Sequence, residues 1–224
     1  MKIVVFSKDR AMQLDALLRS IDKYCIGDYE LSVLYFASDD HKKSYASIID
    51  DRFVLEHDFA EDARTDGPVM FFVDDCLMVR PCDIKVITNA LKVVDMYSCR
   101  LGLNIAGAPV VTRHKGIIEW DGGKGVWGYG ASLDGNAFAS TEGVVWDSPW
   151  SIEKSLRKTF RTQACGPLSC SINVAVNKVR DKPSETVQSL EYLKDEFESG
   201  KRIDIDKFKC WSGDFITTEA HRLV

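Results

Sequence analysis

The sequence predicts an α/β fold in which a sheet with a parallel core carries a ligand site along one edge. Three observations lead there. Short apolar runs alternate with helical periodicity through about residue 101. Polar loops follow the first, second and fourth of those runs. The fourth run, residues 69–73, ends on two adjacent carboxylates, Asp74 and Asp75. Strands that alternate with helices build βαβ units, and in open sheets of that kind ligands bind outside the carboxyl ends of the strands.

The elements follow in order. Residues 3–6 are an unbroken apolar run and read as a short buried strand. Ser7, Lys8, Asp9 and Arg10 form a polar turn. Over residues 10–24, Met12, Leu14, Leu17, Leu18 and Ile21 keep helical spacing, and Gly27 is a plausible terminator. Residues 31–36 make a second strand, followed by Ala37, Ser38, Asp39 and Asp40. Residues 44–49 read as helical, and residues 53–55 and 69–73 as the third and fourth strands. Residues 83–96 read as one amphipathic helix with Asp83 as N-cap, and residues 97–101 as a fifth strand. Beyond that the pattern changes. Residues 122–130 are rich in glycine and aromatics, and Ser132, Leu133, Asp134 and Gly135 open another apolar segment. A helix is expected over residues 151–160 with Ser151 as N-cap, a strand over 171–176, and a helix over 188–198 ended by Gly200. No repeat and no low-complexity linker divides the 224 residues, so a single domain is expected.

Composition narrows the function. Lys and Arg number 29 against 34 Asp and Glu, a net charge of −5. A nucleic-acid-binding domain would ordinarily be basic, so no nucleic-acid partner is expected and any phosphate must be met by a local cluster of cations. The seven cysteines, Cys25, Cys76, Cys82, Cys99, Cys165, Cys170 and Cys210, include no Cys-x-x-Cys pair. Free, mostly buried thiols in a reducing compartment are expected, rather than a zinc site or a disulfide framework. The residues after Met1 show no signal-peptide pattern. No apolar run nears the ~20 residues a bilayer span needs, so a cytoplasmic protein without a membrane span is expected.

Asp74 and Asp75 carry the chemistry. Two acids at the end of a buried strand are costly unless something pairs with them. Hard divalent cations favour oxygen ligands, and magnesium typically bridges one or two carboxylates to substrate phosphates. The plainer alternative is that Asp75 caps backbone N–H groups in a turn. Ser7, Lys8 and Arg10 sit where a helix N-terminus favours anions, or else form a solvated turn. That loop has neither Gly-x-Gly-x-x-Gly nor Gly-Lys-Ser, so a dinucleotide fingerprint or a P-loop is unsupported. Asp39 is placed to accept from a base or ribose, or to cap a helix. Arg64 and Arg100 suit phosphate, or surface ion pairs. Asp134, among small residues, is the candidate general base or charge stabiliser, and Asp-Gly is equally a turn signal. Glu142 and Asp147 are lesser candidates for that acid in the same half. Trp120, Trp127 and Tyr129 are a candidate stacking platform for a sugar, or core. His221 is a candidate extra ligand to a metal at Asp75, or an exposed terminal residue.

Phe6 to Arg10, with Leu14, Leu17, Leu18, Ser20 and Ile21 behind it, resembles the opening of GT-A type glycosyltransferases. Phe71, Phe72, Val73, Asp74 and Asp75 resemble their metal-binding Asp-x-Asp motif in a form with only two acids. Ser98-x-Arg100-Leu101-Gly102-x-Asn104, Ser132 to Gly135, and Asn173-x-x-Val176-Asn177-x-Val179 are similar to segments of microbial and viral transferases of this type. The cysteine-rich character is similar to a glycosyltransferase domain that opens a multidomain chlorovirus protein. The resemblance implies a GT-A like (Rossmann-like) α/β/α sandwich with a mixed, mostly parallel central sheet. It implies a nucleoside-diphosphate sugar donor, most often a UDP-sugar, a glycan or other hydroxyl acceptor, and Mn2+ or Mg2+. Residues 1–101 would then be the nucleotide-sugar and metal half, and residues 102–224 the acceptor half. By position, Asp75 would bind the metal, and Asp74 the ribose or a metal-bound water. Phe6, Ser7, Lys8, Arg10 and Asp39 would hold the nucleoside, and Asp134 would stand near the acceptor. Val73 occupies the place of the first acid of the fuller motif. Two rivals remain: a nucleotidyltransferase that makes a nucleotide sugar, and a non-catalytic sugar- or nucleotide-binding module.

Overall fold

The computed structural model describes residues 1–102, 112–114, 117–121, 133–173 and 189–208. The first half runs β1 (Lys2–Lys8), α1 (Ala11–Tyr24), β2 (Cys25–Ile26), β3 (Glu30–Phe36), α2 (Lys42–Ala46), β4 (Phe53–Leu55), α3 (Phe59–Asp62) and β5 (Val69–Val73). It continues with β6 (Cys76–Met78), β7 (Cys82–Asp83), α4 (Ile84–Ala90) and β8 (Met96–Ser98). The second half adds β9 (Thr112–His114), β10 (Ile117–Asp121), β11 (Asn136–Phe138), α5 (Pro149–Thr159), β12 (Thr162–Cys165), β13 (Ser171–Asn173) and α6 (Leu190–Glu198).

Among the described residues the main sheet has nine strands in the order β4-β3-β1-β5-β11-β8-β12-β10-β9. The block β4-β3-β1-β5 is wholly parallel. β11 is antiparallel to both its neighbours, and β12 is parallel to β8. β10 is antiparallel to β12 and to β9. Strand directions therefore agree everywhere except at β10 and β11, a mixed sheet that is mostly parallel, as expected.

Both faces of this sheet are covered, which is why its central strands read as continuous apolar runs. Along β1 the side chains alternate. Ile3 and Val5 join one core with Val33, Met70, Phe72, Leu14, Leu17, Ile87 and Phe197, beneath α1, α4 and α6. Val4 and Phe6 join the other with Leu34, Phe71, Phe138, Trp146, Ile152 and Leu156, beneath α5. Each fully buried Leu, Ile or Phe in these layers contributes about 1.5–3 kcal/mol relative to exposure.

Some local expectations change. The helix expected over residues 83–96 is capped by Asp83, whose side chain accepts from the Lys85 N–H, but α4 stops at Ala90. Asp95 accepts from the backbone N–H groups of Arg161 and Thr162, at 2.7 and 2.8 Å, and Met96–Ser98 is drawn into the sheet between β11 and β12. Tertiary pairing there outweighs helical periodicity. α1 ends at Tyr24, as expected, and Cys25–Ile26 pairs with β7 before the chain turns at Gly27. Ser148, not Ser151, caps α5: its Oγ accepts from the Ser151 N–H at 3.1 Å, with Pro149 at the first position. Of the strand expected over 171–176, Ser171–Asn173 is described. No helix among the described residues is long and apolar enough to cross a membrane.

Candidate active site

The site is a product of strand direction. β1, β3, β5 and β8 all end at one edge. β11 runs the other way, so the residues before it, not after it, arrive at that edge. Asp74 and Asp75 leave β5, Arg100 follows β8, and Asp134 precedes β11. The register Phe6↔Val73 sets the turn after β1 beside the two acids, and the Asp74 N–H donates to the Phe6 carbonyl at 3.1 Å.

That turn is built around a left-handed residue. Asp9 has φ 56°, a region costly for a residue with a Cβ but more open to Asp than to most. Its Oδ1 accepts from the Ser38 N–H at 2.7 Å, and its own N–H donates to the Phe36 carbonyl at 3.2 Å. The ends of β1 and β3 are thereby tied, and the Lys8 N–H donates to Asp74 Oδ2 at 3.2 Å.

Asp74 is 2% exposed and almost fully engaged by protein. Its Oδ2 also accepts from Ser7 Oγ at 2.9 Å, and its Oδ1 accepts from Arg10 Nη1 at 3.0 Å. Ser7 Oγ lies 2.6 Å from the Tyr45 hydroxyl. Because a carboxylate only accepts and Ser7 has one hydroxyl proton, Ser7 donates to Asp74 and Tyr45 donates to Ser7. The Tyr45 oxygen in turn accepts from the Arg10 N–H at 3.1 Å. Burial pushes the Asp74 carboxyl above its ordinary range, while Arg10, Ser7 and the Lys8 N–H pull it back. Burial also pushes the Tyr45 hydroxyl up, Asp74 adding to the effect.

Asp75 feels the charge of Asp134 as well as that of Asp74. Arg10 Nη1 stands 3.8 Å from Asp75 Oδ2. Asp134 Oδ1 accepts from the Val73 N–H at 3.0 Å, and Arg100 Nη1 stands 3.7 Å from its Oδ2. Gly135 makes this possible: at φ +69° it turns the chain into β11, with its N–H on the Phe71 carbonyl at 2.8 Å. A Cβ at Gly135 would lie 2.7 Å from Ser171 Oγ and 2.9 Å from Arg100 Cγ.

Among the described residues, three carboxylates and two guanidiniums meet here, and the crowding falls on Asp75. Burial, then Asp134 and Asp74, push its carboxyl up to about 7, against the pull of Arg10 and Arg100. A hard divalent cation would relieve that strain, and the donors around it are oxygens, so the residues fit such an ion. Asp75 would be the residue to hold it. Asp74, with three accepted hydrogen bonds, serves as the anchor of the first turn.

The other expected site residues are placed as follows. Phe6 contributes its carbonyl, since its ring is core, 5.8 Å from the Phe71 ring and stacked on it. Lys8 contributes its N–H, while its ammonium lies 4.8 Å from the centre of the Phe36 ring. Asp39 stands at the same sheet edge but is fully exposed and paired with Lys42 at 2.6 Å. Arg64 is exposed on the connection from α3 to β5, not among the site acids. His221, Trp127 and Tyr129 lie outside the described residues. Tyr45 was missed in the sequence, and so was the tie from Asp9 to Ser38. Their partners are remote or backbone, and no spacing signals them.

No protein-family profile matches the chain, and no curated protein matches it by sequence. Solved structures match by shape. S. aureus TarS superposes with a TM-score of 0.50 and 13% identity, over 78% of this chain and 37% of that one. Its 1–349 fragment in complex with UDP gives 0.47 and 14% identity over 75% of this chain and 58% of that one. The same fragment with UDP-GlcNAc gives 0.43 and 14% identity over 75% and 56%. The chain spans little more than a third of the full TarS structure, and what the two share at this level of identity is the fold.

Proposed function

We propose that this chain is a metal-dependent glycosyltransferase domain that takes a nucleoside-diphosphate sugar, a UDP-sugar, and transfers its sugar to a hydroxyl of a glycan or other acceptor. One observation carries the reading: Asp75, held at the sheet edge under the influence of Asp74 and Asp134, with Arg10 near it and Arg100 near Asp134. That arrangement suits a site that holds a divalent cation and a diphosphate on one side and a reacting carbon on the other.

In this reading Asp75 holds Mn2+ or Mg2+, and the ion, when bound, supplies Lewis-acid neutralisation of the diphosphate. Arg10 keeps Asp74 and the turn after β1 in place, so that the backbone around Ser7 and Lys8 presents a rigid floor to the nucleoside. Arg100 orients Asp134. The acceptor oxygen bonds to the anomeric carbon as that carbon's bond to the diphosphate oxygen breaks, and the nucleoside diphosphate leaves with the bonding pair. Asp134 takes the hydroxyl proton in an inverting reaction; in a retaining one it faces the positive charge on the sugar, and the proton passes to the departing diphosphate oxygen.

The test is product analysis with a panel of nucleotide sugars, with and without Mn2+. Manganese-dependent release of nucleoside diphosphate, lost in Asp75→Ala while the fold survives, supports the reading. Release of pyrophosphate from a sugar phosphate and a nucleoside triphosphate would replace it with a nucleotidyltransferase. Binding of UDP and metal with neither transfer nor donor hydrolysis would replace it with a binding module.

A further inference from the structure

The chain gathers thiols as well as carboxylates. Cys82, Cys99 and Cys170 are scattered in sequence, yet their sulfur atoms lie within 4.8 Å of one another. Cys82 and Cys99 are 3.7 Å apart. All three are buried, at 4%, 1% and 8% exposure. Backbone pairing holds them there. Cys82 lies in β7, in register with Cys25 of β2. The Cys170 N–H donates to the Cys99 carbonyl at 2.8 Å, and the Cys99 N–H donates to the Gly135 carbonyl at 3.0 Å. Cys25, half-buried, stands across the β2–β7 pair in register with Cys82, outside the group of three sulfurs.

We propose that Cys82, Cys99 and Cys170 hold a structural zinc ion, with Cys25, their neighbour across the β2–β7 pair, turning its side chain inward to complete the tetrahedron. Thiolates select soft or borderline metals over the hard cations that suit Asp75, so the two sites would not compete. Structural zinc is tetrahedral with Zn–S bonds of ~2.3 Å, which sets neighbouring sulfurs ~3.8 Å apart, close to the Cys82–Cys99 separation. Binding balances as one Zn2+ taken up and four thiol protons released to buffer, with no change of oxidation state. The ligands come from β2, β7, the end of β8 and the approach to β13. Cys99 immediately precedes Arg100, the partner of Asp134, so the ion would fasten the wall on which that pair stands.

The whole chain, purified reduced and stripped of metal by chelator, is titrated with Zn2+ and, separately, with Co2+. About one tightly held zinc per chain by elemental analysis is expected, together with thiolate-to-cobalt charge-transfer absorption and the visible bands of tetrahedral cobalt. Cys82→Ser and Cys170→Ser should each lose at least about tenfold in zinc affinity. Cys165→Ser, which changes a buried cysteine outside the cluster, and Asp75→Ala should both retain it. If a cluster variant does not fold, the cobalt spectrum of the unaltered chain decides alone. Less than about one-tenth zinc per chain with no charge-transfer band in folded protein overturns the proposal. So does zinc whose loss follows Cys165 or Asp75 rather than the cluster.

Discussion

The Asp134 carboxylate accepts the backbone N–H of Val73 at 3.0 Å across 61 positions of sequence. It thereby joins the acid of the second half to the residue immediately before Asp74 and Asp75. An amide oxygen can accept that same N–H. Asp134→Asn should therefore fold with a midpoint within about 2 °C of the parent, since a shift of that size is below about 1 kcal/mol for a chain this long. Its transfer rate should fall at least about 100-fold, the low end of what a positioned acid–base group supplies. Thermal melts and a nucleoside-diphosphate release assay check both. Full activity in Asp134→Asn would remove this residue from the chemistry.

Arg10 is the main counter-charge to a nearly inaccessible Asp74, with the two joined at 3.0 Å. Removing one partner of such a pair strands the other. Arg10→Ala should cost about 3 kcal/mol. Arg10→Ala with Asp74→Asn should cost less than the sum of the single changes, because the stranded charge is gone. Urea unfolding of the four proteins in a double-mutant cycle measures the coupling. Additive losses would mean that the pair contributes nothing of its own.

The Asp75 carboxyl gives metal-free protein a definite pH dependence. Its folded value of about 7 lies above the roughly 3.9 of an unfolded aspartate. Between about pH 4 and pH 7 the folded chain thus binds more protons than the unfolded one, and this group's contribution to stability falls as pH rises through that window. Asp75→Asn should melt at least about 2 °C above the parent at pH 8 and close to it at pH 4. Stabilisation of the parent by Mn2+ should be larger at pH 8 than at pH 6, because the ion must displace a proton at the lower pH. A parent that melts higher than Asp75→Asn at pH 8 without metal would contradict this account.

Two glycines separate strain from crowding. Gly67 has φ +75° with open space around it, and Gly135 has φ +69° with Ser171 and Arg100 under 3 Å from a new Cβ. Gly67→Ala should cost about 1 kcal/mol from backbone strain alone. Gly135→Ala should cost at least about 1 kcal/mol more and should also lower activity by displacing Arg100 from Asp134. Denaturant midpoints with a turnover assay distinguish the two, and equal losses would show that the Gly135 turn relaxes.

Much of the first half was legible. The runs at residues 3–6, 31–36 and 69–73 are strands because both sheet faces are covered, so an unbroken apolar stretch is their signature. α1 kept its helical period because one face packs on that sheet. The turn of Ser7 to Arg10, the acids at 74 and 75, and Asp134 were found because strand ends and Asp-Gly turns leave local marks. The early stop of α4 was not legible, since Asp95 is claimed by N–H groups of Arg161 and Thr162 far along the chain. The assignment of the Ser38 N–H to Asp9 and of the Tyr45 hydroxyl to Ser7 left no periodic trace.

The strands near residues 3–6, 31–36, 53–55 and 69–73, the helix of residues 11–24 and the acids at a strand end follow from residue pattern alone, because burial and backbone geometry act over a few neighbouring residues. Which acids share a space is another matter. The reversed direction of β11 carries Asp134 to the edge where β5 ends, and β7, the approach to β13 and the end of β8 bring Cys82, Cys170 and Cys99 together from three distant places. Those meetings depend on contacts between segments that no local window contains, so only the folded chain decides them.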